Sequence, residues 1–296
     1  MRVGICVPIG ERAPERRALS YAQMRELAVT TEQAGLDSIW VADHLFFKPP
    51  DGDVRGTWEA LTMLGALADA TSHVELGPLV VCARFRNPGL LAWSANTLDE
   101  ISGGRFVLGL GAGWHEPEFR AFGFEFERRV GFLEDTLNVV VPLLRNGRAD
   151  HDGELARGHA ELRPAGPRAT SGGPPIMIAG TRPRMMRLTA QWADRWNSVW
   201  WGLPNDEFRA ERDDLRAACR SAGRDAASIE VTVGVAVKDP AMTKFNDAKS
   251  LAGTTEHLAA ALAAWREEGV AEVMCRLEPP SVGVVETIAR AWQSVS

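Results

Sequence analysis

Eight times along the chain a short, β-rich apolar run gives way to a segment with helical spacing, and this alternation constrains the fold more than any other feature. The runs are Arg2–Pro8, Leu36–Val41, Val74–Cys82, Arg105–Gly111, Pro175–Ala179, Arg195–Trp200, Ile229–Val237 and Val270–Arg276. The helical segments between and after them are Ser20–Ala34, Trp58–Ala70, Pro88–Ile101, Arg129–Arg145, Pro183–Trp192, Asn205–Ala222, Thr254–Glu268 and Val282–Trp292. Local signals agree with these limits. Asn87 is a good N-cap with Pro88 in the first turn, Gly35 and Asn146-Gly147 are stops, and Pro142 predicts a kink in the fourth long helix. Strand-then-helix units with no composition break between them favour one closed parallel barrel, (β/α)8, over an open doubly wound sheet. The chain thus reads as a single domain over residues 1–296. Only His151 to Gly173, rich in glycine, proline and charge, interrupts the rhythm; it reads as a surface excursion or loose hairpin, an insertion at about residues 148–174 after the fourth unit.

In such a barrel the chemistry sits where the strands end at their C-terminal side, so candidate residues can be read off the strand exits. The second exit carries Asp43 and His44. The fourth, GRFVLGLGAGWHEPEF from Gly104 to Phe119, ends a buried strand in Gly109, Gly111 and Gly113, where a backbone or flat ligand could approach closely, and then presents Trp114, His115 and Glu116. A glycine-rich turn with a packing tryptophan and a solvated histidine is the alternative for that stretch alone. Two histidines beside carboxylates at strand exits favour the functional reading, with His44 and His115 meeting across the barrel mouth. At the fifth exit, Ala179 to Met186 (AGTRPRMM) combines Gly180, Thr181, Arg182, Arg184 and a helix start, which together suit a phosphate. An ordinary capped helix with two solvent-facing arginines is the other reading. Trp114, Trp200 and Trp201 could wall a pocket for a flat aromatic molecule, while Trp40, Trp93 and Trp292 read as core.

Composition narrows the partners. A net charge of -6 and a pI near 5.6 lack the basic excess that a nucleic-acid surface needs, which leaves a small molecule. Cys6, Cys82, Cys219 and Cys275 are widely spaced and read as buried thiols in a reducing compartment. No signal-peptide layout opens the sequence and no apolar run reaches membrane-spanning length, so a cytoplasmic protein is expected. No metal-ligand spacing is present, and no metal is expected.

Several runs carry a resemblance: VADHL at Val41–Leu45, RNP at Arg86–Pro88, LDEISGGRFVLGLGAGWHEPEFRAFG at Leu98–Gly123, then PPIMIAG and WADRWN. Together they resemble the bacterial luciferase-like monooxygenase superfamily over nearly the whole chain, and most of all the branch that uses the deazaflavin coenzyme F420 rather than FMN. The resemblance implies a (β/α)8 barrel with an insertion, a homodimer, and a coenzyme lying across the barrel mouth. Carried onto this sequence, Asp43 and His44 would border the ring, Leu110, Gly111 and His115 would contact the coenzyme, and Gly180, Thr181, Arg182 and Arg184 would surround its phosphate. Relatives carry a bulge with a non-prolyl cis peptide behind the ring, which implies Leu79–Val80 as that bond and Val80 as a ring contact. Some relatives place a glutamate acid/base where Ala112 stands here, so that role passes to His44, His115 or Glu116, with His44 the first choice. The implied activity is hydride transfer between F420 and a small organic substrate. The alternatives are an FMN-dependent monooxygenase, a metal-dependent barrel hydrolase using Asp43, His44 and His115, and a non-catalytic coenzyme-binding barrel.

Overall fold

The computed structural model describes residues 1–12, 16–49, 52–239 and 249–295. Its parallel strands are β1 (Arg2–Cys6), β2 (Ser38–Val41), β3 in two pieces (Glu75–Pro78 and Val81–Cys82), β4 (Leu108–Gly111), β5 (Ile176–Ala179), β6 (Arg195–Trp201), β7 (Glu230–Lys238) and β8 (Glu272–Glu278). They run in the order β3-β2-β1-β8-β7-β6-β5-β4, and β4 returns to β3, so the sheet is a barrel as expected. The return is shared between the two pieces of β3: Val81 and Cys82 pair with Leu110 and Gly111, and Leu76 bridges Phe106. Where one continuous third strand was expected, Leu79 and Val80 separate the pieces, and the Leu79–Val80 peptide is cis, as is Val199–Trp200 in β6.

The helices are α1 (Tyr21–Gln33), α2 (Ala60–Ala70), α3 (Pro88–Ile101), α4 (Glu116–Phe122), α5 (Arg129–Asn146), α6 (Pro183–Trp192), α7 (Asp206–Ser221), α8 (Thr255–Glu267) and α9 (Val282–Gln293). Eight match the periodic segments, and α4 is an addition directly after β4. The expected caps are present: Asn87 accepts from the N–H of Gly89 at 2.9 Å, and Gly147, at φ +70°, closes α5. Helix α5 carries Pro142 in its interior and continues to Asn146. The insertion opens as an antiparallel hairpin, Arg148–Asp152 against Arg157–Glu161, and then runs irregularly to β5. A smaller hairpin, Phe46–Phe47 with Arg55–Gly56, follows β2.

Apolar burial falls into two clusters. The larger lies between the sheet and the helices; the smaller, Cys6, Trp40, Val107, Met177 and Met274, fills the barrel. Glycine makes the inner packing possible, because a Cβ on Gly77 would stand 2.3 Å from the carbonyl oxygen of Val107 and 2.9 Å from the Trp40 ring. Below this layer the N-terminal ends of the strands are closed by ionic contacts. Arg195 meets Glu75 at 2.9 Å and Glu230 at 3.0 Å, and the fully buried Glu272 accepts from Trp40 Nε1 at 2.9 Å. Burial pushes the Glu272 carboxyl above its usual range. With one end plugged, the open end is the one where the strands exit.

Candidate active site

A cavity of about 800 Å³ occupies the C-terminal ends of the strands. Its walls bring together residues far apart in sequence: Asp43 and His44 after β2, Val80 between the pieces of β3, Gly111 and Trp114 at β4, Thr181 and Arg182 after β5, and Trp200 in β6. Gly111 is required here, since a Cβ would lie 2.8 Å from Val80 Cγ2.

Asp43 and His44 have different partners, although they are adjacent. Asp43 is buried and takes both Arg86 nitrogens, at 2.6 and 2.9 Å, together with the N–H of Cys82 at 2.9 Å. Asp43 is therefore engaged by Arg86 and Cys82 and not by its neighbour His44. His44 instead sets its Nδ1 2.8 Å from Oε2 of Glu118, a carboxylate in α4 that is only 1% exposed. The other oxygen of Glu118 accepts from the backbone N–H groups of Leu45 at 2.5 Å and Phe46 at 3.2 Å. Sequence reasoning passed over Glu118 because α4 was not recognised. Pro117 beside the glycine turn was the available signal of a helix start, and in the structure that helix buries Glu118 and Phe119. Glu116 points outward, pairing with Arg120 at 2.6 Å and lying outside the cavity lining.

His115 comes near His44, with ring centroids 6.2 Å apart, yet it stands behind the cavity wall. It is buried at the N-cap of α4, stacks on Phe47 at 4.7 Å, and its Nε2 accepts from the backbone N–H of Lys48 at 2.9 Å. Burial holds its pKa below the ordinary imidazole range. Leu110 is likewise outside: its side chain packs into the helix-facing core, while Gly111 faces the cavity. The three tryptophans divide in the same way. Trp114 is exposed at the mouth and Trp200 lines the cavity under the guanidinium of Arg276 at 4.6 Å. Trp201 packs edge-on against Phe208 and donates to Ser198 at 3.0 Å, on the helix side of β6. The register of β6 shifts between Ser198 and Trp201, and with that irregularity Trp200 joins Asn197 and Val199 on the cavity wall while Trp201 does not.

At the fifth exit Gly180, with φ +140°, turns the chain, and Thr181 and Arg182 line the cavity ahead of the first turn of α6. Arg184 is turned to Glu134, with its Nε 3.1 Å from the carboxylate. Among the described residues, no group of three or more histidine, cysteine or acidic side chains is arranged to hold a metal ion, and no helix is long and apolar enough to cross a membrane.

Residues 1–239 match the luciferase-like monooxygenase family. The chain belongs to that family. It is 32% identical over 217 residues to a phthiodiolone/phenolphthiodiolone dimycocerosates ketoreductase of Mycobacterium tuberculosis H37Rv, a match spanning 66% of this chain and 55% of that one. It is 28% identical to a 5,10-methylenetetrahydromethanopterin reductase of Methanolobus tindarius over 75% of this chain and 62% of the other. The chain thus spans little more than half the length of these curated relatives. The structure of the coenzyme F420-dependent tetrahydromethanopterin reductase from Methanopyrus kandleri superposes with a TM-score of 0.78 over 97% of each chain, at 17% identity.

The luciferase-like barrel has features that fit a flat ring with a phosphate. Gly111 puts no side chain beside Val80 on the wall, and Thr181, Arg182 and the N–H groups opening α6 supply donors for an anion. A further polar group, unnoticed in the sequence, is Asn197 of β6, which is 1% exposed and part of the cavity lining. Thr232 donates to the carbonyl of Trp196 at 3.1 Å and so can only accept from Asn197 Nδ2, at 2.9 Å. That arrangement fixes the amide and leaves Oδ1 without a donor among the described residues, in keeping with a ligand N–H or O–H.

Proposed function

We propose that this chain transfers a hydride between coenzyme F420 and a small organic substrate held against it. The observation that supports the reading is one cavity with both requirements on its walls: a phosphate corner at Thr181 and Arg182, and an imidazole, His44, secured by a buried carboxylate. Bound there, the deazaflavin ring would supply the hydride acceptor or donor. His44 would hold or release the proton, since an imidazole has one nitrogen that can accept a proton and one that can donate it. Asp43, closed by Arg86, shapes the loop that carries His44, and Trp114 and Trp200 wall the substrate side. Glu116 and Arg184 are engaged elsewhere, by Arg120 and Glu134, so His44 and Arg182 are assigned the acid/base and phosphate roles. Both curated relatives are named as reductases, which favours hydride transfer over oxygen activation. A cytoplasmic homodimer belongs to the same reading.

The family's description as monooxygenases keeps FMN as the second reading. Titration of purified protein with F420 and with FMN, followed by anaerobic assay with alcohols and carbonyl compounds, tests the two. Saturable F420 binding with turnover in the absence of oxygen is expected. Tight binding of FMN alone, with turnover that consumes oxygen, would replace F420 by FMN.

A further inference from the structure

Glu118 has a division of labour between its two oxygens that bears on the acid/base step. Oε1 accepts two backbone N–H groups, from Leu45 and Phe46, and Oε2 faces His44 Nδ1 at 2.8 Å. A carboxylate only accepts, so the ring proton of neutral His44 sits on Nδ1 and Nε2 is left as the basic nitrogen. We propose that Glu118 is a positioning residue, holding His44 in the tautomer whose Nε2 exchanges the substrate proton.

The proposal rests on the hydride-transfer reading. For an alcohol substrate, the C–H bond would break with its electron pair leaving as hydride, which the deazaflavin coenzyme would accept when bound. The O–H bond breaks with its proton passing to His44 Nε2, and a carbonyl forms. In reverse, the imidazolium returns the proton to the carbonyl oxygen. Glu118 faces the imidazolium in either direction and stabilises it, as the carboxylate of a nucleophile–imidazole–carboxylate triad does.

Other groups around His44 do not compete for the part. Asp43 is occupied by Arg86, and His115 accepts from the Lys48 N–H through Nε2, which keeps it neutral. The Cys82 thiol is pushed up to about 12, chiefly by burial. Arg129, Arg182 and Arg276 line the same cavity but are permanent cations.

The same geometry says what Glu118→Gln would do. The two backbone N–H groups require an acceptor, so the amide oxygen must stay on their side, and the amide NH2 is forced toward His44 Nδ1. Nδ1 then becomes an acceptor and the ring proton moves to Nε2. The substitution is nearly isosteric and leaves no backbone donor unpaired, so the fold should survive.

Nitrogen-15 NMR of the His44 ring in the ligand-free protein reads the tautomer directly, without turnover. Nε2 is expected to be unprotonated in the unmodified protein and protonated in Glu118→Gln. With whichever coenzyme binds, kcat should fall by about 10²–10⁴-fold, the range of a general acid–base contribution, with KM little changed and the His44 limb of the pH profile lost. In a His44→Gln background, Glu118→Gln should cost almost nothing more. An unchanged tautomer in Glu118→Gln, or an equal further loss in the His44→Gln background, overturns the proposal. If the unmodified protein turns over with neither F420 nor FMN, the hydride-transfer reading fails, and the NMR result still decides whether Glu118 sets the tautomer.

Discussion

Arg182 and Arg184 differ by two positions in sequence and by what each touches. Arg182 caps α6 and lines the cavity, whereas Arg184 is spent on Glu134. Replacing Arg182 by alanine should therefore weaken coenzyme binding by roughly tenfold to a hundredfold, the cost of about 1.5–3 kcal/mol for one charged contact. Arg184→Ala should change binding by less than about threefold, because an exposed ion pair is worth little. Titrating F420 into both variants at low and at moderate salt checks this, and the Arg182 contribution should shrink as salt screens it. At this scale the sequence was informative about residue types and mute about direction. Both arginines, both carboxylates at 116 and 118, and both tryptophans at 200 and 201 were equally available on paper. Side-chain orientation separated them.

Among the elements, the loop after β2 and the short α4 behave as one unit, because each supplies the other's missing partners. Leu45 and Phe46 donate to Glu118, and Lys48 donates to His115. This ties local stability to pH with a definite sign. The folded-state pKa of His115 is depressed by burial, so the unfolded chain binds more protons between that depressed value and about 6.5. The His115 contribution is full above about pH 6.5 and is lost as the pH falls toward the folded value. Relative to the intrinsic rate, which itself slows at lower pH, the protection of amides 45–48 should fall on acidification through that window. His115→Gln should flatten the dependence; if it persists unchanged, another group is responsible. Helix α4 escaped the periodicity reading because it has seven residues, too few for an apolar stripe to repeat. By contrast α5, with eighteen residues and nine of them buried, announced itself.

For the whole molecule, the barrel depends on an inner layer that is small in number and tight. Gly77→Ala places a Cβ against the carbonyl of Val107 and the face of Trp40, where neither backbone nor ring can withdraw. Urea unfolding should show a loss of about 1–3 kcal/mol or more for this overpacking, together with weaker coenzyme binding, since β3 carries Val80 to the cavity. The alternation of apolar runs and helical stripes determined the architecture by itself. Burial on both faces of a parallel strand and on one face of each helix is a local requirement, written into consecutive residues. It also marked the exits where chemistry collects, and the runs from VADHL to WADRWN carried the family. The partnership of His44 with Glu118 rather than Asp43, the break in β3, the turning of His115 behind the wall and the selection of Arg182 were decided only by tertiary structure. Each depends on which of two adjacent side chains faces inward and on donors from a distant loop, and no pattern along one segment records a contact made across the barrel.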